Sequence, residues 1–104
     1  MNKPFEKYET YQIIWQIIQI EIRYCDYVAN VDEQTTIVHL EIMSMTHQPL
    51  PITETGYKSY FTAKSLIEEF GGPVEYAKMW LDGEAKDNIA WQNHVSKSRQ
   101  LSLF

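Results

Sequence analysis

Cysteine, glycine, proline and basic charge are all scarce in this sequence of 104 residues, and each scarcity excludes something. A single cysteine, Cys25, cannot close an internal disulfide and has no C-x-x-C partner for zinc, which suits a reducing compartment. Four glycines and four prolines are too few for a low-complexity chain, and no glycine-rich loop is present to cradle a phosphate. Nine Lys and Arg against fourteen Asp and Glu leave a net charge of −5, with the basic residues scattered. Direct DNA binding draws its affinity from clustered cations, so no direct nucleic-acid contact is expected. No apolar run is long enough to span a bilayer, and the opening Met1-Asn2-Lys3-Pro4-Phe5-Glu6-Lys7 is polar and mixed in charge, unlike a signal peptide. The expectation is a cytoplasmic protein with no membrane partner. Catalytic signatures are missing as well: there is no G-x-S-x-G or H-E-x-x-H, and His39, His47 and His94 lie far apart. The chain is therefore read as non-enzymatic, with no cofactor, metal or catalytic residue.

What is present is a good supply of Ile, Tyr and Trp. From Tyr11 to Val28 these residues read as strand, with Ile18, Ile20, Ile22 and Tyr24 alternating with Gln19, Glu21 and Arg23. Tyr11, Ile13, Trp15 and Ile17 fall on the opposite parity, so the chain must change face near Ile17-Ile18, through a bulge or a short unmarked turn. The spacing of Tyr11, Ile14, Trp15 and Ile18 also permits a helix from Glu9 to about Ile18. After a polar loop at Asn30 to Gln34, Val38, Leu40 and Ile42 alternate with His39, Glu41 and Met43, predicting a second strand from Thr36 to about Met45 that closes an antiparallel hairpin. His39 and Glu41 then stand on the solvent side near Glu21 and Arg23, an arrangement that suits an ion-pair lattice on an exposed sheet face better than a metal or acid–base site.

Pro49 and Pro51 mark an edge or crossing segment, and Thr55-Gly56 a turn, before a third short strand from Tyr57 to Phe61. Thr53, Glu54, Thr55, Tyr57, Lys58, Ser59 and Tyr60 make the densest polar-aromatic grouping in the chain, with Thr53, Glu54, Thr55, Tyr57 and Tyr60 as a candidate secondary binding surface. Thr62 is a plausible cap for a helix ending at Gly71. Gly72-Pro73 starts a second helix whose apolar stripe, Val74, Ala77, Trp80 and Leu81, precedes a stop at Asp82-Gly83. A third helix is expected from Asp87 to about Val95, and Trp80 and Trp91 are expected as core anchors. The fold class that follows is α+β: an antiparallel sheet of three or four strands followed by two or three helices packed on one face. Residues 1–95 form the single domain and residues 96–104 a flexible tail.

That tail ends in Gln100-Leu101-Ser102-Leu103-Phe104 behind the polar run Ser96-Lys97-Ser98-Arg99. The five residues resemble the peptide by which many bacterial DNA polymerases and mismatch-repair proteins bind the ring-shaped DNA sliding clamp. The resemblance implies that Gln100 fixes register, Leu101 fills a shallow subsite, and Leu103 and Phe104 fill a deep apolar pocket, with the bacterial sliding clamp as partner. Residues 50–82, with Leu50-Pro51-Ile52-Thr53-Glu54-Thr55-Gly56-Tyr57 and Gly71-Gly72-Pro73-Val74-Glu75-Tyr76, resemble small uncharacterised proteins of bacterial plasmids and integrative elements. That likeness implies a mobile-element setting and no catalytic residues. The alternative is an anti-defence or regulatory protein that binds another host protein through residues 53–60, with the tail folded back as a structural latch.

Overall fold

The computed structural model describes residues 7–102, with backbone alone from Ser98 onward. A first hairpin joins β1 (Glu9–Trp15) to β2 (Ile18–Asp32). The change of parity near Ile17 is a two-residue turn: Gln16 and Ile17 both lie at positive φ, 47° and 64°, the signature of the tight turn that matches strand twist. Neither residue type marks such a turn, which is why the helical alternative fitted the same stretch. β3 (Thr35–Ser44) and β4 (Tyr57–Ala63) complete a four-stranded antiparallel sheet in the order β1-β2-β3-β4. β2 slips register against β3 between Cys25 and Ala29 and again between Asn30 and Asp32, while its far end stays paired with β3 as far as Asp32 opposite Thr35.

The connection between β3 and β4 is pinned around Ser44. Its hydroxyl donates to the Gln48 carbonyl at 2.7 Å and its amide to the Gly56 carbonyl at 2.8 Å. Leu50 and Thr53 exchange backbone hydrogen bonds of 2.8 and 3.0 Å, which folds the proline segment into a compact loop with Leu50 buried beneath it.

The sheet's inner face, Ile18, Ile20, Ile22, Tyr24, Val38, Leu40 and Ile42, is buried under the helices. Each of these large side chains contributes about 1.5–3 kcal/mol when fully buried. Helix α1 (Lys64–Glu69) packs on β3 and β4 and supplies Ile67; helix α2 (Pro73–Asp87) packs on β2 and supplies Tyr76, Ala77 and Leu81. The α1 cap is Ala63 rather than the expected Thr62, and no side chain bonds to the first turn, because β4 runs directly into the helix. The exit follows expectation: the Gly71 and Gly72 amides donate back to Glu68 and Ile67, the reciprocal pair that a left-handed glycine permits, and Pro73 then starts α2.

Two helix ends differ from expectation. α2 continues through Gly83 to Asp87, because one interior glycine costs only about 1 kcal/mol and Glu84, Ala85 and Lys86 favour helix on its far side. α3 (Ile89–Ser102) runs past Val95, so residues 96–102, expected as a flexible tail, are helical; no Gly or Pro interrupts them. Among the described residues no helix is long and apolar enough to cross a membrane.

Candidate functional site

The sheet's outer face carries the densest polar network. Strand register lines up Cys25, His39 and Phe61 in one row, Arg23, Glu41 and Ser59 in the next, and Glu21, Met43 and Tyr57 in a third. Tyr8, just before β1, closes over the first row. His39 is only 8% exposed although it stands on the face expected for it. Its ring stacks on Phe61 with centroids 4.2 Å apart and planes 8° from parallel, and Tyr8 meets it edge-on at 5.7 Å. Hydrogen bonds of 2.6 Å between Nδ1 and the Tyr8 hydroxyl and 2.7 Å between Nε2 and the Ser59 hydroxyl hold both ring nitrogens. The expected solvent-side histidine is thus a covered one. The parity was right; the aromatic neighbours that enclose it come from outside its hairpin.

Glu41 anchors the second row. Arg23 donates to its Oε1 at 3.0 Å while the guanidinium lies 4.6 Å above the Tyr8 ring, and the Tyr57 hydroxyl donates to Oε2. The carboxylate, through that hydrogen bond, raises the Tyr57 phenol pKa above its ordinary value. The Arg23–Glu41 pair is the cross-strand ion pair expected of this face, and at this exposure such pairs contribute about 0.2–1 kcal/mol. Ser59 beside an imidazole has the outline of a nucleophile and base, yet the group on the far nitrogen is a phenol, which gives an imidazolium none of the charge stabilisation a carboxylate would. The geometry orients His39 and ties three strands together. Among the described residues no three His, Cys, Asp or Glu side chains group as a metal ion requires.

A second locus lies at one end of the molecule, where Pro49, Leu50, Pro51 and Ile52 face Trp91 and His94 across an open cleft of about 530 Å³. Asn88 builds it. Its amide donates to Glu84 at the end of α2, its Oδ1 accepts from the Trp91 amide to cap α3, and its Nδ2 donates to the Pro51 carbonyl at 2.8 Å. Trp15 reaches the same region, with its ring 5.7 Å from Trp91 and its indole N–H donating to Asp82.

The residues singled out in the sequence separate. Thr53 and Glu54 line the cleft. The Thr53 and Thr55 hydroxyls donate to the Tyr57 carbonyl at 2.9 and 3.3 Å, which is turn chemistry. Tyr57 belongs to the outer-face network, whereas Tyr60 points to the opposite side, 4.8 Å from Trp80 and 6.2 Å from Tyr76. Thr53, Glu54, Thr55, Tyr57 and Tyr60 therefore do not form one surface. Gln100 and Leu101 fall in the last turn of α3, and Leu103 and Phe104 lie outside the described residues. Sequence reasoning missed Tyr8 and Asn88, and it saw Ser59 and Phe61 as strand residues without linking them to His39. Period-two parity carried a signal for Ser59 and Phe61, since both share a face with Tyr57.

A family model described as the KlcB third domain matches residues 8–91. The chain belongs to that family. The KlcB third-domain family is plasmid-associated. No curated protein and no solved structure matches the chain significantly. The family match begins at Tyr8 of the outer-face network and ends at Trp91 of the cleft, so most of α3 and the final five residues lie beyond it.

Proposed function

We propose that this KlcB third-domain protein is a non-enzymatic accessory protein of a bacterial mobile element that binds the host DNA sliding clamp through Gln100, Leu101, Leu103 and Phe104. The observation that carries the reading is the sequence Gln-Leu-Ser-Leu-Phe itself, which follows an exposed polar stretch. Trp91 is buried and Val95 half-buried against the core, whereas Ser96 and Lys97 are exposed.

Docking in an extended form requires Gln100 and Leu101 to leave the last turn of the helix. Helix ends fray readily, so the cost is small beside the burial of Leu103 and Phe104, about 1.5–3 kcal/mol each. After ordering costs the contact is of about micromolar strength, near −8 kcal/mol, weak enough to exchange with other clamp-binding proteins. The role is recruitment of the domain to replicating DNA or competition for the clamp.

Calorimetry of purified clamp against the full chain and against a Leu103→Ala, Phe104→Ala double variant tests this. The expected result is micromolar binding by the first and at least tenfold weaker binding by the second, with unchanged far-ultraviolet circular dichroism. No heat from the unaltered chain, or equal affinities, would sink the reading.

A further inference from the structure

The two edges of the sheet are not equally protected. At β4 the strand carries Lys58, the Thr53 and Thr55 hydroxyls occupy the Tyr57 carbonyl, and α1 follows without a break. These are the devices by which proteins blunt an edge. Among the described residues β1 has none of them: its seven residues Glu-Thr-Tyr-Gln-Ile-Ile-Trp contain no Lys, Pro or Gly, its register against β2 is uninterrupted, and Ile14 on its outer face is 71% exposed. On the inner face Tyr11 and Ile13 are only partly buried, because the main helix packing lies on β2, β3 and β4.

We infer that β1 is a dimerisation edge that pairs antiparallel with β1 of a second copy of this chain, the twofold axis passing at Gln12. The register follows from the hairpin. A two-residue turn is closed by a hydrogen-bonded pair, here Trp15 with Ile18, and such pairs then alternate along the ladder. Glu9, Tyr11, Ile13 and Trp15 therefore direct their backbone groups to β2, and Thr10, Gln12 and Ile14 direct theirs outward.

Placing Gln12 opposite Gln12 of the second copy pairs Thr10 with Ile14 in both directions, which forms about six backbone hydrogen bonds. Tyr11 then faces Ile13, an aromatic and β-branched pair of the kind that stabilises sheets. Charge agrees with this arrangement. Glu9 is the single charged residue of β1, and it falls opposite Trp15 of the other copy rather than opposite its own counterpart. Within the paired strands no like charges stand opposite one another. Two four-stranded sheets become one continuous sheet, and the half-covered Tyr11 and Ile13 of each copy gain apolar neighbours.

Sedimentation equilibrium of the full chain is expected to give twice the 12.3 kDa monomer mass. Gln12→Pro removes an outward amide that β2 does not use, and Ile14→Lys places a cation on the edge; each should halve the mass while leaving thermal unfolding two-state. Gln12→Cys should cross-link into a covalent dimer under mild oxidation, since paired α-carbons at a hydrogen-bonded position lie about 5.5 Å apart, whereas Ile14→Cys should not. A monomeric unaltered chain, a dimer that survives both edge variants, or equal cross-linking at the two positions overturns the proposal. If Gln12→Pro fails to fold, Ile14→Lys and the cysteine pair decide it.

Discussion

At Asn88 one carboxamide and one amide serve three elements: the backbone N–H ends α2, the side-chain oxygen starts α3, and the side-chain nitrogen fixes the proline loop at Pro51. Gln92 adds to the joint, donating to the Ala85 and Lys86 carbonyls at 3.2 and 2.7 Å. Losing a cap costs about 1 kcal/mol and losing a buried hydrogen bond about as much again. Asn88→Ala should therefore lower the unfolding free energy by about 2 kcal/mol in urea titrations, while Asn93→Ala on the exposed side of α3 should change it by less than about 0.5 kcal/mol. Equal effects would show that the joint has no special weight. Asn88 was hidden in the sequence because a cap is recognised by the helices on both sides, and both boundaries were misplaced. His39 was hidden for a different reason. Its parity was legible, but its burial depends on Tyr8 and Phe61, which reach it through pairings that no local pattern encodes.

Among the elements, those with a strong local pattern were readable: β2 and β3 by alternation, the α1 exit and α2 start by Gly71-Gly72-Pro73. The turn at Gln16-Ile17 was legible only as a change of parity and not from its residue types, since a β-branched residue in the left-handed region costs about 1–2 kcal/mol and is held there by the ladder on both sides. Glycine meant different things at different positions. Gly83 reads as a stop yet lies inside α2, with open space where a side chain would go; Gly56, at φ 81°, is packed against the Ser44 hydroxyl and the Gln48 carbonyl, each 2.7 Å from a would-be Cβ. The same substitution should act in opposite directions. Gly83→Ala is expected to stabilise by up to about 1 kcal/mol, and Gly56→Ala to destabilise by more than about 1 kcal/mol. Paired thermal denaturation curves would reveal the sign of each, and a shift in the same direction would refute the account.

For the whole molecule, the core contains phenols whose ionisation is coupled to folding. Burial pushes Tyr24 up to about 12, and burial together with the hydrogen bond to Tyr60 does the same for Tyr76, whereas a phenol in the unfolded chain ionises near 10.0. Below that value the two states hold the same protons. Above it the unfolded chain sheds protons that the folded one keeps, so stability falls as pH rises from 10 toward 12. The urea midpoint should drop across that window, and Tyr24→Phe should flatten the drop; a midpoint that stays level would contradict the burial of these rings. The fold class was legible at this scale because alternation and helix punctuation each specify a layer. The shared end of the molecule was not, because it depends on the first hairpin meeting the last helix.

That meeting, between Trp15 and Trp91, has a temporal consequence. Every strand pairs with its neighbour in sequence, so the sheet assembles from short-range closures that sacrifice little chain entropy. The tilted indole pair joins residues near opposite ends of the matched span and closes a far longer loop than any strand pairing does. On entropic grounds its closure is therefore expected to follow the hairpins.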